Sequence, residues 1–149
     1  MPAMNSLRRS LLGALLAALC KPLAALAAAW NKEAFGAKSA AEALKGIGAA
    51  GAVPSAELLI DAPQIAENGA VVPVEITSNI AGTTSIAVVI EKNPFPLAGV
   101  FEFKDGALPF VRLNLKIGES SDVRVIAEAG GRRYSASQEI KVTIGGCGG

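Results

Sequence analysis

From Leu58 onward, apolar residues return at every second position, and this alternation restricts the possible folds more than any other feature of the chain. Val72, Val74 and Ile76 alternate with Pro73, Glu75 and Thr77. Ile86, Val88 and Ile90 keep the same interval, and Phe101 and Phe103 flank Glu102. The clearest run is Val111, Leu113, Leu115 and Ile117, set against Arg112, Asn114 and Lys116. Val123 and Val125 form a further pair. Tyr134 and Ala136 open a last run that ends with Ile140, Val142 and Ile144. Successive side chains of a strand point to opposite faces, so a period of two marks strands with one face in a core and one in water.

Turn signals separate the runs: Glu67-Asn68-Gly69, Asn79 to Gly82, Asn93-Pro94, Lys104-Asp105-Gly106, Gly118-Glu119 and Gly130-Gly131. With Leu58–Asp61 added, about seven strands are predicted over residues 57–144. That number at this spacing predicts an all-β, immunoglobulin-like β-sandwich. Pro73 cannot donate to a ladder, which predicts that its strand lies at an edge or bulges there. The segment 30–56 reads as helical. Ser39-Ala40-Ala41-Glu42 has capping-box spacing, Ala40, Ala43, Leu44 and Ile47 follow at helical intervals, and Gly48 suits the stop. Trp30 just before it either covers the sandwich or has no role.

Residues 1–29 read as an export signal peptide. Arg8-Arg9 supply a positive region, Leu11 to Leu19 a short apolar stretch, and Ala27-Ala28-Ala29 small residues for cleavage. The stretch is too short for a membrane span, and Lys21-Pro22 interrupts it. Twin arginines followed by Ser10-Leu11-Leu12 are similar to a twin-arginine signal, with Leu7 and Leu11 departing from the favoured residues; an ordinary secretory signal is the other reading. Removal of residues 1–29 would take away Arg8, Arg9, Lys21 and Cys20. The chain carries 14 basic and 13 acidic residues in all, so 11 basic and 13 acidic would remain, for a net charge of −2. The expected location is periplasmic, where stable disulfides are permitted.

Composition excludes several kinds of chemistry. The chain has no histidine, which removes Ser-His and Cys-His nucleophile pairs and every histidine-containing zinc site. A near-neutral charge gives no footprint for nucleic acid. Glu91, Glu102 and Glu128 have no spacing that makes a general acid–base pair. No glycine run is followed by the Lys-Ser/Thr of a phosphate loop. No metal site, cofactor or acid–base pair is therefore expected, and if chemistry happens on Cys147 the acids, bases or metals must come from a partner. Asn93-Pro94-Phe95-Pro96 reads as a rigid turn, its prolines fixing φ, with a place at a partner interface as the second reading. Arg132-Arg133 reads as a solvated hairpin shoulder.

The tail Ile144-Gly145-Gly146-Cys147-Gly148-Gly149 sets one cysteine among four glycines. Glycine reaches nearly all backbone conformations and adds no bulk, so Gly145, Gly146, Gly148 and Gly149 predict a slim, flexible arm over 145–149 that carries the Cys147 thiol to other proteins. Extended, it would place Cys147 about 10 Å beyond Ile144. A disordered tail, or a cysteine that pairs with another chain, are the plainer readings. A free thiol has a pKa of about 8.5, and no cation in the arm lowers it, so partners would have to activate the sulfur.

The tail from Lys141 to Gly149 resembles the C-terminus of the SoxY family, the sulfur-carrying subunits of bacterial thiosulfate oxidation. The resemblance extends to Glu67-Asn68-Gly69-Ala70-Val71-Val72-Pro73-Val74, Asn93-Pro94-Phe95-Pro96-Leu97, Val111-Arg112-Leu113 and Lys116-Ile117-Gly118-Glu119-Ser120-Ser121. It implies a covalent carrier without activity of its own. Partner c-type cytochromes would join thiosulfate to Cys147, a hydrolase would release sulfate, and a sulfane dehydrogenase would act on what remains. It also implies a heterodimer with a SoxZ-like β-sandwich subunit, with no nucleic acid and no membrane involved after signal cleavage. The rival from another class is an exported immunoglobulin-like assembly module whose Cys147 forms a structural intermolecular disulfide. Ubiquitin-like sulfur carriers also end in Gly-Gly, but they need ATP-dependent adenylation and a central helix between strands, which this sequence does not offer.

Overall fold

Two short helices come first among the described residues, 31–143, of a computed structural model. Residues 1–29, read as an export leader with Arg8 and Arg9, lie outside the described residues, as do Trp30, Ile144 and the glycine–cysteine tail. Helix α1 (Lys32–Gly36) is capped by Asn31, whose side-chain oxygen accepts from the Ala34 N–H at 3.0 Å. Its amide nitrogen donates to the Gly46 carbonyl at 2.8 Å and so ties α1 to the end of helix α2 (Ala40–Gly46). Five residues are too few to show a period, which is why α1 is not legible as a helix of its own. Ser39 caps α2 by accepting from Glu42 N–H at 3.3 Å, but the Glu42 carboxylate accepts from Lys38 N–H rather than closing the reciprocal bond of a capping box. At the other end Gly48 takes a φ of 68°, with Gly48 N–H donating to Lys45 O and Ala49 N–H to Leu44 O. These are the paired bonds of a Schellman stop.

The body of the chain is all-β. Nine strands run through the described residues: β1 (Val53–Pro54), β2 (Leu58–Asp61), β3 (Ile65–Ala66), β4 (Val72–Ser78), β5 (Thr83–Ile90), β6 (Leu97–Glu102), β7 (Phe110–Leu115), β8 (Ser121–Ala129) and β9 (Arg132–Val142). About seven are expected from the sequence. The extra pieces, β1 and β3, have two residues each, too short for an alternation to show, and both lie parallel on the free edge of β9. One sheet has the order β1-β9-β8-β5-β6, with β3 also on β9; the other has the order β2-β4-β7. Gly130 and Gly131, both at positive φ, close the β8–β9 hairpin in two residues, with Ala129 opposite Arg132. Positive φ at both central positions is what a tight hairpin matching the strand twist requires.

The inner faces of the two sheets share one core. Val72, Val74 and Ile76 of β4 meet Ile86, Val88 and Ile90 of β5 and Val123 and Val125 of β8, with Ile117 and Ile140. All but Ile90 are fully buried, and each contributes about 1.5–3 kcal/mol relative to an exposed side chain. Two expectations need correction. First, β4 is the central strand of its sheet, not an edge. Pro73 is nonetheless accommodated because β2 stops pairing at Asp61–Glu75, so at Pro73 the strand has a partner on the β7 side only. Second, β5 has no wet face along Ile86–Ile90. Ala87 and Val89 face outward and pack with Leu97, Ile126 and Ala34, Ala43 and Ala49 of the helical segment. The unbroken apolar run Ile86-Ala87-Val88-Val89-Ile90 is the signature of a strand covered on both faces.

Candidate functional site

Every residue assigned to the arm, Gly145, Gly146, Cys147, Gly148 and Gly149, lies outside the described residues, as do Arg8 and Arg9. What the structure describes is the base from which the tail departs, and there the chain is held on several sides. Strand β9 is the longest in the fold, with Ile140 fully buried near its end. Strand β3 lies beside its last two residues, Ile65 opposite Lys141 and Ala66 opposite Val142. Lys141 N–H donates to Gln64 O at 2.9 Å, and Thr143 N–H donates to Ala66 O at 3.1 Å. The Thr143 hydroxyl donates to Glu67 O at 3.4 Å.

On the other side, the Ser120 hydroxyl accepts from Val142 N–H at 2.9 Å and donates to Val142 O at 3.5 Å. One side chain thereby serves both backbone groups of the strand's last residue. Gly69 closes the remaining side. Its carbonyl accepts from Ile117 N–H at 2.7 Å, and a Cβ at this position would overlap the Ile117 carbonyl oxygen and come within 2.8 Å of a Val142 methyl. Close backbone approach is thus what requires glycine here. Asn68 fixes the turn locally, its side-chain oxygen accepting from Ala70 N–H at 2.9 Å.

The third loop at this end joins β5 to β6. Asn93 reaches across to the turn after β7, donating to Lys116 O at 2.8 Å and accepting from Gly118 N–H at 3.1 Å. Lys92 N–H donates to the Ser121 hydroxyl at 3.1 Å. Pro96 is fully buried while Phe95 beside it is 53% exposed, its ring covered by the Lys38 ammonium at 3.5 Å from the centroid. The segments 67–71 and 116–121, which are far apart in the sequence, therefore flank the base of the tail, and 91–96 is bonded to 116–121 at the same end of the sheet. Arg124, on β8, forms an ion pair with Glu91 at 2.6 Å, and Arg133 one with Glu128 at 3.0 Å. The hairpin shoulder thus includes a paired arginine.

Among the described residues, no group of three or more acidic or cysteine side chains is placed to hold a metal ion. No helix of the described residues is long and apolar enough to cross a membrane. Sequence reasoning marks the tail but misses its anchors. The Asn68-Gly69 pair signals only a turn, and nothing in the sequence signals that Ser120 and β3 clamp the last strand.

Comparison with known proteins bears on this end of the molecule directly. The family model described as "Sulfur oxidation protein SoxY" matches residues 45–147, a span that reaches Cys147. Among solved structures, the sulfur carrier protein SoxY from Chlorobium limicola f thiosulfatophilum is similar at 37% identity, covering 63% of this chain and 88% of that one, with a TM-score of 0.57. Superoxide reductase (neelaredoxin) from Ignicoccus hospitalis and a point variant of it are each 24% identical with a TM-score of 0.52. They cover 58–59% of this chain and 80–83% of theirs, a likeness of fold alone. No curated protein sequence matches the chain.

Proposed function

The chain belongs to the SoxY family of sulfur oxidation proteins, and from that premise we propose that it holds sulfur covalently on Cys147 and presents it to the enzymes of thiosulfate oxidation. The single observation that carries the reading is the anchored base of the tail. Thr143 has both its amide and its hydroxyl bonded, so the four residues from there to Cys147 start from a fixed point. Glycines on both sides of Cys147 let a narrow channel admit the thiol, since no neighbouring side chain has to pass. Ordering five such residues in a channel costs roughly 5–10 kcal/mol, which keeps docking weak and release fast.

The chemistry asked of the thiol is simple and lies with partners. Loading joins Cys147 to thiosulfate, Cys–SH + S2O3(2−) giving Cys–S–S–SO3(−), one proton and two electrons, and the electrons pass to a c-type cytochrome. Hydrolysis with one water then releases hydrogen sulfate and leaves Cys–S–SH. A sulfane dehydrogenase, where one is present, would oxidise that remaining sulfur for a further round of hydrolysis. The carrier lowers no barrier itself; it keeps each intermediate bound while the enzymes change. The partner is a Sox-pathway subunit, and a SoxZ-like β-sandwich in a heterodimer is the form proposed. Action in the periplasm after twin-arginine export completes the reading, supported by the sequence of residues 1–29. The order of the long strands, β2-β4-β7 against β9-β8-β5-β6, supports reading the two sheets as immunoglobulin-like.

Intact-mass spectrometry of the mature protein, purified without reductant from thiosulfate-grown cells, tests the proposal. Thiosulfonate or persulfide adducts on wild-type protein and none on Cys147→Ser are expected. A stable disulfide from Cys147 to one other chain, with no sulfur adduct, would assign the protein to structural assembly instead.

A further inference from the structure

We propose that the surface beside the base of the tail, centred on Phe95 and its Lys38 cap and extended by Val71 and Ile65, is where the enzyme that loads Cys147 docks. The inference rests on the carrier reading and adds the surface and the chemistry of its partner. Its first support is length. Cys147 lies four residues past Thr143, which limits its reach to about 13–14 Å whatever the conformation of the tail. An enzyme whose reactive centre lies at the bottom of a channel must therefore bring the channel mouth against the loops that flank Thr143. Those loops are 67–71 and 116–121, and 91–96, bonded to the latter, continues the same end outward.

The second support is the character of this surface. Phe95, Val71 and Ile65 are 53%, 54% and 60% exposed; Ile65 lies opposite Lys141, Val71 directly precedes β4, and Phe95 lies in the loop that Asn93 ties to Lys116 and Gly118. Phe95 is also preset. Prolines flank it, Pro96 is buried, and Asn93 pins the loop to Lys116 O and Gly118 N–H. An aromatic ring held rigid in water loses little freedom on binding, and such rings carry much of the energy of protein interfaces. Lys38 stands 3.5 Å over one face of the ring, with its own backbone N–H held by Glu42. The fitting partner surface is an apolar hollow for the ring, edged by a carboxylate for the ammonium, beside the mouth of the channel.

The test uses the mature carrier together with its partner subunit, and compares two ways of loading Cys147. The pathway enzyme loads it by docking. Tetrathionate loads it without docking, because the thiolate displaces thiosulfate from S4O6(2−) to give the same Cys–S–S–SO3(−). Phe95→Ser and Lys38→Glu should each lower kcat/KM for enzymatic loading about tenfold, mostly through KM. Both should leave tetrathionate loading and co-elution with the subunit at wild-type values. Leu108→Ser, a change at an 82% exposed site at the other end of the fold, should alter nothing. Wild-type kcat/KM in both the Phe95 and Lys38 variants overturns the proposal. So does loss of the subunit from Phe95→Ser, which would make this surface a permanent interface. Failure of the carrier reading looks different, because the wild-type protein would then accept no adduct from the enzyme at all.

Discussion

A methyl group at Gly69 would strike a carbonyl oxygen and a Val142 methyl, neither of which can move without disturbing a strand end. Gly69→Ala should therefore destabilise the protein by about 1–3 kcal/mol, read as a lower urea midpoint with unchanged slope. Ser120 works at the same point through hydrogen bonds, serving both backbone groups of Val142. The glycines of the arm act differently. Gly146→Val or Gly148→Val should slow enzymatic loading of Cys147 while the thermal midpoint stays within about 1 °C of wild type, because both positions follow β9, the last strand of the described core, in sequence. Normal turnover with full-length partners would rule out the narrow-channel account. The sequence makes these two kinds of glycine look alike. The tail glycines announce themselves by their repetition around a cysteine. The role of Gly69 depends on Ile117 and Val142, 48 and 73 positions further along, and no local pattern carries that.

Among the elements, β5 is the most constrained, because it lies between β8 and β6 inside the larger sheet and is covered on both faces. Its inner residues join the sandwich core and its outer Ala87 and Val89 receive the helices. The helix contact is lined largely by alanines, Ala34, Ala43 and Ala49, which let the helices sit close but bury little area apiece. The helical layer should be the less stable part. Ala43→Leu, which puts three carbons into a fully buried site, should speed amide exchange in α1 and α2 while the amides of β8 stay protected. Equal loss of protection in β8 would show that the helices are integral to the sandwich. Helix α2 and the long strands are legible from period and caps. Strands β1 and β3 and helix α1 are not, since elements of two to five residues carry no period.

Across the whole molecule, one shared core makes the sandwich a single cooperative unit. Ile86→Ala, at the centre of that core, should cost about 2–5 kcal/mol in global unfolding, whereas Val100→Ala on the exposed side of β6 should stay within about 0.5 kcal/mol. Denaturant titration of the two variants distinguishes these outcomes. The strand alternation by itself determined that the body is all-β, because only a period of two buries every second side chain. The glycine-flanked cysteine and the motifs resembling the SoxY family pointed to the carrier role without any structure. The tertiary structure decided what those motifs do besides forming turns. Hydrogen bonds between loops far apart in sequence bring 67–71, 91–96 and 116–121 to one end, where Ser120, Gly69 and β3 fix the base of the tail. Such long-range pairing depends on which strands become neighbours across the two sheets, and strand order leaves no periodic trace in a single sequence.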